Sequence, residues 1–149
     1  MKIERAIPSD HMILTTITKR SKAYWGYSKE QIEAWDALLS VTPEYITKNE
    51  TYKLVSGDQV IGYYSLVKTD TKTLKLDSLF ILPEFIRKGF GKLLMNDLFE
   101  RAALNNYTTI ILYSDPNAES FYSKFGFVTI GQIKTSVPNR SLPEMRRHL

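Results

Sequence analysis

The fold turns on FILPEFIRKGFGKLL, residues 80–94. An apolar run with strand character stops at Pro83, and Gly89-Phe90-Gly91 then opens an amphipathic helix that continues to about Ala103. Leu94, Leu98 and Ala102 recur on one face of that helix, and Asn105-Asn106 is its stop signal. The first amides of a helix lack intrahelical partners and carry the positive end of its dipole, so a turn without Cβ atoms can cradle a phosphate. A plain strand-to-helix turn uses the same residues. Arg87, Lys88 and Lys92 surround the turn with positive charge. It lacks the third glycine of a dinucleotide-binding fingerprint and the Gly-Lys-Ser/Thr of a P-loop, so a different phosphate-bearing ligand is wanted.

Upstream, Lys2 to Ile7 reads as a strand, and Pro8-Ser9-Asp10 starts a helix from His11 to about Arg20. After a break at Gly26, Ser28 and Gln31 form a capping box, and Ile32, Trp35, Leu38 and Leu39 recur at helical spacing. Two early helices are therefore expected. From Thr51 the period becomes that of strands: Tyr52 to Val55, Val60 to Val67 and Leu74 to Leu82, joined by turns at Gly57-Asp58 and Thr69 to Thr73. Downstream, Thr109 to Tyr113 is apolar through its middle, as a strand covered on both faces would be. Asp115-Pro116 starts a helix that Gly126 ends, and Phe127 to Val137 is a long strand, with Arg140 to Leu149 as one more. The segment from Leu74 to Tyr113 is a strand-helix-strand crossover, expected to be parallel and right-handed. The sum is a single α+β domain over residues 1–149, with a mixed, mostly antiparallel sheet of six or seven strands and helices on both faces.

With 149 residues, 43% of them hydrophobic and 24% charged, the chain suits one soluble domain that needs no staple. No apolar run reaches membrane-spanning length, and the charged start MKIERAIPSD is unlike a signal peptide, so a cytoplasmic protein is expected. There is no cysteine, which excludes disulfides, thiolate metal sites and a cysteinyl acyl intermediate. His11 and His148 lie near opposite ends of the sequence, and no metal is expected. The net charge of +4 comes from scattered Lys and Arg, which argues against nucleic acid as a partner.

A second stretch, SDPNAESFYSKFGF at residues 114–127, joins the first. Together they resemble the GCN5-related N-acetyltransferase (GNAT) superfamily, whose motif Gln/Arg-x-x-Gly-x-Gly/Ala is followed by a helix with Ala-x-x-Phe-Tyr-x-x-x-Gly-Phe. Ala118, Phe121, Tyr122, Gly126 and Phe127 match the second pattern, whereas Ile86 stands at the polar head of the first and Arg87 where a small residue is common. The resemblance covers the order of elements along the chain. It implies acetyl-coenzyme A as cosubstrate, its pyrophosphate on the main-chain amides of Arg87, Lys88, Gly89, Phe90, Gly91 and Lys92. It also implies that the preceding strand splays from its neighbour, so that Leu79, Phe80, Ile81 and Leu82 run along the pantetheine arm and one of their amides polarises the thioester carbonyl. Tyr122 looks like the family tyrosine that protonates the departing thiolate; its other reading is a packing aromatic beside Phe121 and Phe125. Asn117 either bonds the coenzyme arm or supports the helix start.

Asp77 is the first choice for the base that takes the amine's proton, with acceptor binding or plain solvation as its other readings. The acceptor side is suggested by SKAYWGYSKEQIEAW, between the first two helices, where Tyr24, Trp25 and Tyr27 either close the core or line a pocket for an amine by cation–π contact. The tail PNRSLPEMRRHL resembles those of some bacterial acetyltransferases, and its Arg140 could reach an acidic acceptor group. The resulting expectation is direct acetyl transfer to a primary amine of a small molecule or peptide, by a protein open to homodimerisation. The alternative is a non-catalytic coenzyme A-binding regulatory domain of the same fold.

Overall fold

A computed structural model describes residues 1–149. The strands are β1 (Lys2–Arg5), β2 (Glu50–Ser56), β3 (Gln59–Lys68), β4 (Thr73–Ile81), β5 (Thr109–Tyr113), β6 (Val128–Lys134) and β7 (Ser141–His148). They form one seven-stranded mixed sheet in the order β1-β2-β3-β4-β5-β7-β6, flanked by helices. The chain divides into two compact units, Met1–Leu66 with Ser78–Asp97 and Val67–Asp77 with Leu98–Leu149.

In the first unit, β1, β2 and β3 pair antiparallel, Lys2 facing Val55 and Glu50 facing Leu66. Every residue of β3 from Ile61 to Leu66 is buried. Gly62 allows β4 to come close, because a Cβ there would lie 2.9 Å from the Phe80 carbonyl oxygen. The early helical region holds four helices rather than two: α1 (His11–Tyr24), α2 (Lys29–Ala34), α3 (Asp36–Leu39) and α4 (Pro43–Lys48). Ser28 caps α2 by accepting from the Gln31 amide at 3.1 Å, and Thr42 caps α4 by accepting from Tyr45 at 3.0 Å. Nothing in α2 or α3 is buried, and Leu38 is 79% exposed. The core of this unit is instead Ala6, Leu14, Ile17, Val41, Ile46, Tyr63 and Leu82, with Tyr45, Val60, Phe80 and Phe85 packed against it. Within it, the Thr18 and Tyr63 hydroxyls share a buried 2.6 Å hydrogen bond.

In the second unit, β4 and β5 are parallel, as the crossover requires, and β7 runs antiparallel between β5 and β6. Thr109 to Tyr113 alternates in burial instead of being covered throughout: Ile110 and Leu112 are buried, Ile111 is half-buried and Tyr113 is exposed. The crossover helix α5 (Phe90–Leu104) keeps Leu94, Leu98 and Ala102 buried and stops at Asn106, whose φ is +65°. A short helix, α6 (Glu119–Ser123), follows a 3-10 turn at Pro116–Ala118. No helix is long and apolar enough to cross a membrane.

Candidate active site

The glycine turn is built by hand alternation in the backbone. After a 3-10 turn at Pro83–Phe85, Ile86 is extended, Arg87 has φ +63° and Gly89 has φ +85°, with Lys88 between them on the ordinary side. Alternating hands over successive residues make the anion-binding concavities called nests. The Leu93 amide donates to the Gly89 carbonyl at 3.2 Å, so Phe90, Gly91 and Lys92 supply the first-turn amides that α5 itself cannot satisfy. The turn is pinned from inside by Phe85 and Phe90, whose rings lie 5.9 Å apart. Lys88 Nζ lies 5.9 Å from the Phe85 ring, and Arg87, Lys88, Gly89 and Lys92 are exposed.

Along β4, ladder pairing with β5 runs only from Thr73↔Thr109 to Lys75↔Ile111, although β4 continues to Ile81 and β5 to Tyr113. The two strands part company there. The Leu82 amide donates to the Ile61 carbonyl at 2.8 Å, so it is already used within the sheet and is not available to a ligand. Successive strand amides point to opposite edges, so Phe80 shares the edge that Leu82 gives to β3. Leu79 and Ile81 direct theirs to the opposite edge of β4. The span Leu79 to Leu82 thus narrows to two amides.

The second unit gathers Asp115, Asn117, Tyr122 and Arg140. Asp115 Oδ1 accepts from the Asn117 backbone amide at 2.9 Å and from its side-chain Nδ2 at 3.0 Å, so Asn117 is engaged in starting the helix. Arg140 lies 3.8 Å from Asp115 Oδ2, directed at an acid of its own chain. Tyr122 is buried edge-on against Phe121 at 5.2 Å and Phe127 at 5.9 Å, while Phe121 rather than Tyr122 meets Phe125. Burial, and secondly the negative charge of Asp115, push the Tyr122 phenol well above its ordinary pKa. It is therefore held protonated, the state in which it can donate. Gly126, at φ +86°, closes the helix and leaves room for Arg147, whose Nε would be 3.4 Å from a Cβ there. Arg147 in turn lies over the Phe99 ring at 4.0 Å, and Phe99 stacks on Phe127.

Asp77 is exposed on β4, with its carboxylate 3.3 Å from Lys75. Lys75 also lies over Tyr113 at 4.5 Å. On the expected acceptor side, Tyr24 is the last residue of α1, not a loop residue. Tyr24 and Trp25 meet edge to face at 5.1 Å and stay 46% and 44% exposed, so they do not close the core. Tyr27 pairs with Trp35 at 5.2 Å. Two residues were missed from sequence. Asp115 appeared only as a helix cap, and Lys22, one turn before the aromatic group, has its Nζ over both Tyr27 at 5.4 Å and Phe80 at 5.7 Å.

Comparison with known proteins bears on the whole arrangement, since the acetyltransferase (GNAT) domain family matches residues 25–138. The chain belongs to the GNAT acetyltransferase family. The GNAT match takes in the glycine turn, Asp77 and Tyr122, and leaves α1 and Arg140 outside it. The chain is 33% identical over 104 residues to the uncharacterized N-acetyltransferase YvbK of Bacillus subtilis (strain 168), covering 64% of this chain and 67% of that one. It is 25% identical over 136 residues to the uncharacterized N-acetyltransferase YafP of Escherichia coli (strain K12), covering 89% and 84%. A crystal structure of PaiA N-acetyltransferase from Thermoplasma acidophilum in complex with coenzyme A shares the GNAT fold, with TM-score 0.82 at 20% identity over 99% of this chain and 98% of that one.

Proposed function

We propose that residues 1–149 act as a single acetyl-coenzyme A-dependent N-acetyltransferase domain that acetylates a primary amine of a small molecule or peptide directly. The observation that carries this is the glycine turn, where Arg87 and Gly89 both adopt the left-handed conformation in front of the unsatisfied amides of α5. A non-glycine residue held there costs about 1–2 kcal/mol, which an anion-binding backbone would explain. The coenzyme A bound to the PaiA relative supplies such an anion, a pyrophosphate.

In this scheme the neutral amine attacks the thioester carbonyl carbon while an amide of Leu79 or Ile81 stabilises the oxyanion. The carbon–sulfur bond then breaks, and Tyr122 gives the leaving thiolate a proton or a hydrogen bond. Without cysteine no acyl-cysteine forms, so amine and cosubstrate are bound together. Asp77 is the proposed base, and its ion pair with Lys75 is what favours the second reading, a coenzyme A-binding domain without turnover.

Thermal unfolding with and without acetyl-coenzyme A tests the proposal. Ligand at 100 times its Kd stabilises by about 2.7 kcal/mol. No shift at millimolar ligand would sink both readings. A shift without thiol release from any amine would leave the binding-only domain.

A further inference from the structure

We infer that Tyr64 is a positioning residue for the cosubstrate: its hydroxyl, bonded to Asp97, holds the opening of α5 where the glycine turn is proposed to meet a pyrophosphate. The inference rests on the coenzyme A binding proposed above. β3 anchors the turn on both sides. Before the turn, the Leu82 amide donates to the Ile61 carbonyl at 2.8 Å. After it, the Tyr64 hydroxyl donates to Asp97 Oδ2 at 2.6 Å, from a place slightly further along the same strand. The glycine turn and the start of α5 lie in the stretch between Leu82 and Asp97.

The two ends of the Tyr64 bond differ in freedom. Tyr64 is fully buried and stacks on Tyr52 of β2 at 5.4 Å, while Arg5 of β1 lies over the Tyr52 ring at 5.6 Å. The sheet therefore fixes where the hydroxyl points. Asp97 is half-buried on α5, so the helix is the partner whose position the bond decides. Leu94 and Met95 bury the apolar face of α5, but apolar contact is non-directional and tolerates small slides and rotations. A hydrogen bond to a carboxylate is short and directional. Asp97 lies about two turns beyond Phe90, roughly 10 Å along the helix axis. A displacement at Asp97 is carried by the rigid helix to the amides of Phe90, Gly91 and Lys92.

The test is titration calorimetry of the full chain with coenzyme A and with pantetheine, which has the same arm without phosphates. Tyr64→Phe keeps the stacked ring, and it should weaken coenzyme A about tenfold while pantetheine changes by less than about twofold. Asp97→Ala should match it, whereas Asp97→Asn, which can still accept the bond, should stay within about threefold of the wild type. Tyr63→Phe is the control, since the Tyr63 hydroxyl shares a 2.6 Å bond with Thr18 of α1, away from the turn. It should lower the thermal midpoint and leave the Kd for coenzyme A unchanged. An unchanged Kd in Tyr64→Phe or Asp97→Ala, equal weakening of both ligands, no rescue in Asp97→Asn, or an equal effect from Tyr63→Phe overturns the inference and leaves the acetyltransferase proposal standing. Should Tyr64→Phe fail to fold, the two Asp97 variants decide. No binding of coenzyme A by the wild type overturns that proposal, and this inference with it.

Discussion

The glycine turn at residues 86–92 and the segment from Asp115 to Phe127 are proposed to serve one reaction, but they are built in opposite ways. In the turn the proposed chemistry belongs to the main chain: the hands at Arg87 and Gly89 and the opening of α5 set its geometry, and the side chains there are mostly exposed. In the second segment the proposed chemistry belongs to one side chain, Tyr122, whose place depends on packing against Phe121 and Phe127 and on the helix start at Asp115. The difference explains why departures from the family pattern fall where they do. Ile86 and Arg87 can replace a polar and a small residue because amides do not change with the side chain, whereas Ala118, Phe121, Tyr122, Gly126 and Phe127 all match.

The sharpest break of this comparison is Tyr122→Phe. It should lower kcat by about 10²–10⁴-fold while the acetyl-coenzyme A thermal shift persists, because the ring stays and only the donor is lost. Equal loss of binding would show that the turn and the tyrosine are not separable. Next, Gly89→Ala should do the converse, costing about 1–2 kcal/mol of stability through the left-handed backbone and weakening cosubstrate binding more than kcat. Since a Cβ at Gly89 meets nothing within 4 Å, strain rather than a clash is being measured. Denaturant midpoints and the KM for acetyl-coenzyme A check this.

A third measurement follows stability at high pH. The folded phenol of Tyr122 titrates above its unfolded value, so its contribution is complete below about pH 10 and falls by up to about 1.4 kcal/mol per pH unit above that. Tyr122→Phe should remove this alkaline slope, and an unchanged slope would place the loss in other groups. The smallest effect is expected of Arg87→Gly. Relief of the left-handed backbone, less the added freedom of the unfolded chain, should raise stability by about 0.5 kcal/mol. Activity should change only by the loss of one exposed charge, most visibly at low salt.

Local signals made much of this legible in the sequence. Gly57, Gly89 and Gly126 each mark a positive-φ turn, Asp115-Pro116 starts its helix, and the switch in period near residue 51 brings in the strands. Long-range facts were not legible. No local pattern places β7 between β5 and β6, because those neighbours are not consecutive in the chain. The helix α4 was missed although Thr42-Pro43 is a fair start signal, since its six residues bury only Ile46 and show too little periodicity. Trp35 splits the expected second helix in two, and its apolar residues are only partly covered. At the candidate site, Tyr122 was proposed through a motif. Asp115 with Arg140 and Lys22 with Phe80 join residues far apart in sequence, where spacing carries no information.

The position of β7 also governs how the second unit can assemble. Thr109 pairs with His148 and Val128 with Arg146, so β6 is held in the sheet only through a strand that follows it in the chain. Closing β5 onto β7 demands a long loop, and such non-local pairings form late. Until residues 141–148 dock, β5 keeps an open edge with Ile110 and Leu112 beside it, a surface on which another unfolded chain can add a strand. The yield of this protein on refolding should therefore depend on its concentration far more than its final stability does.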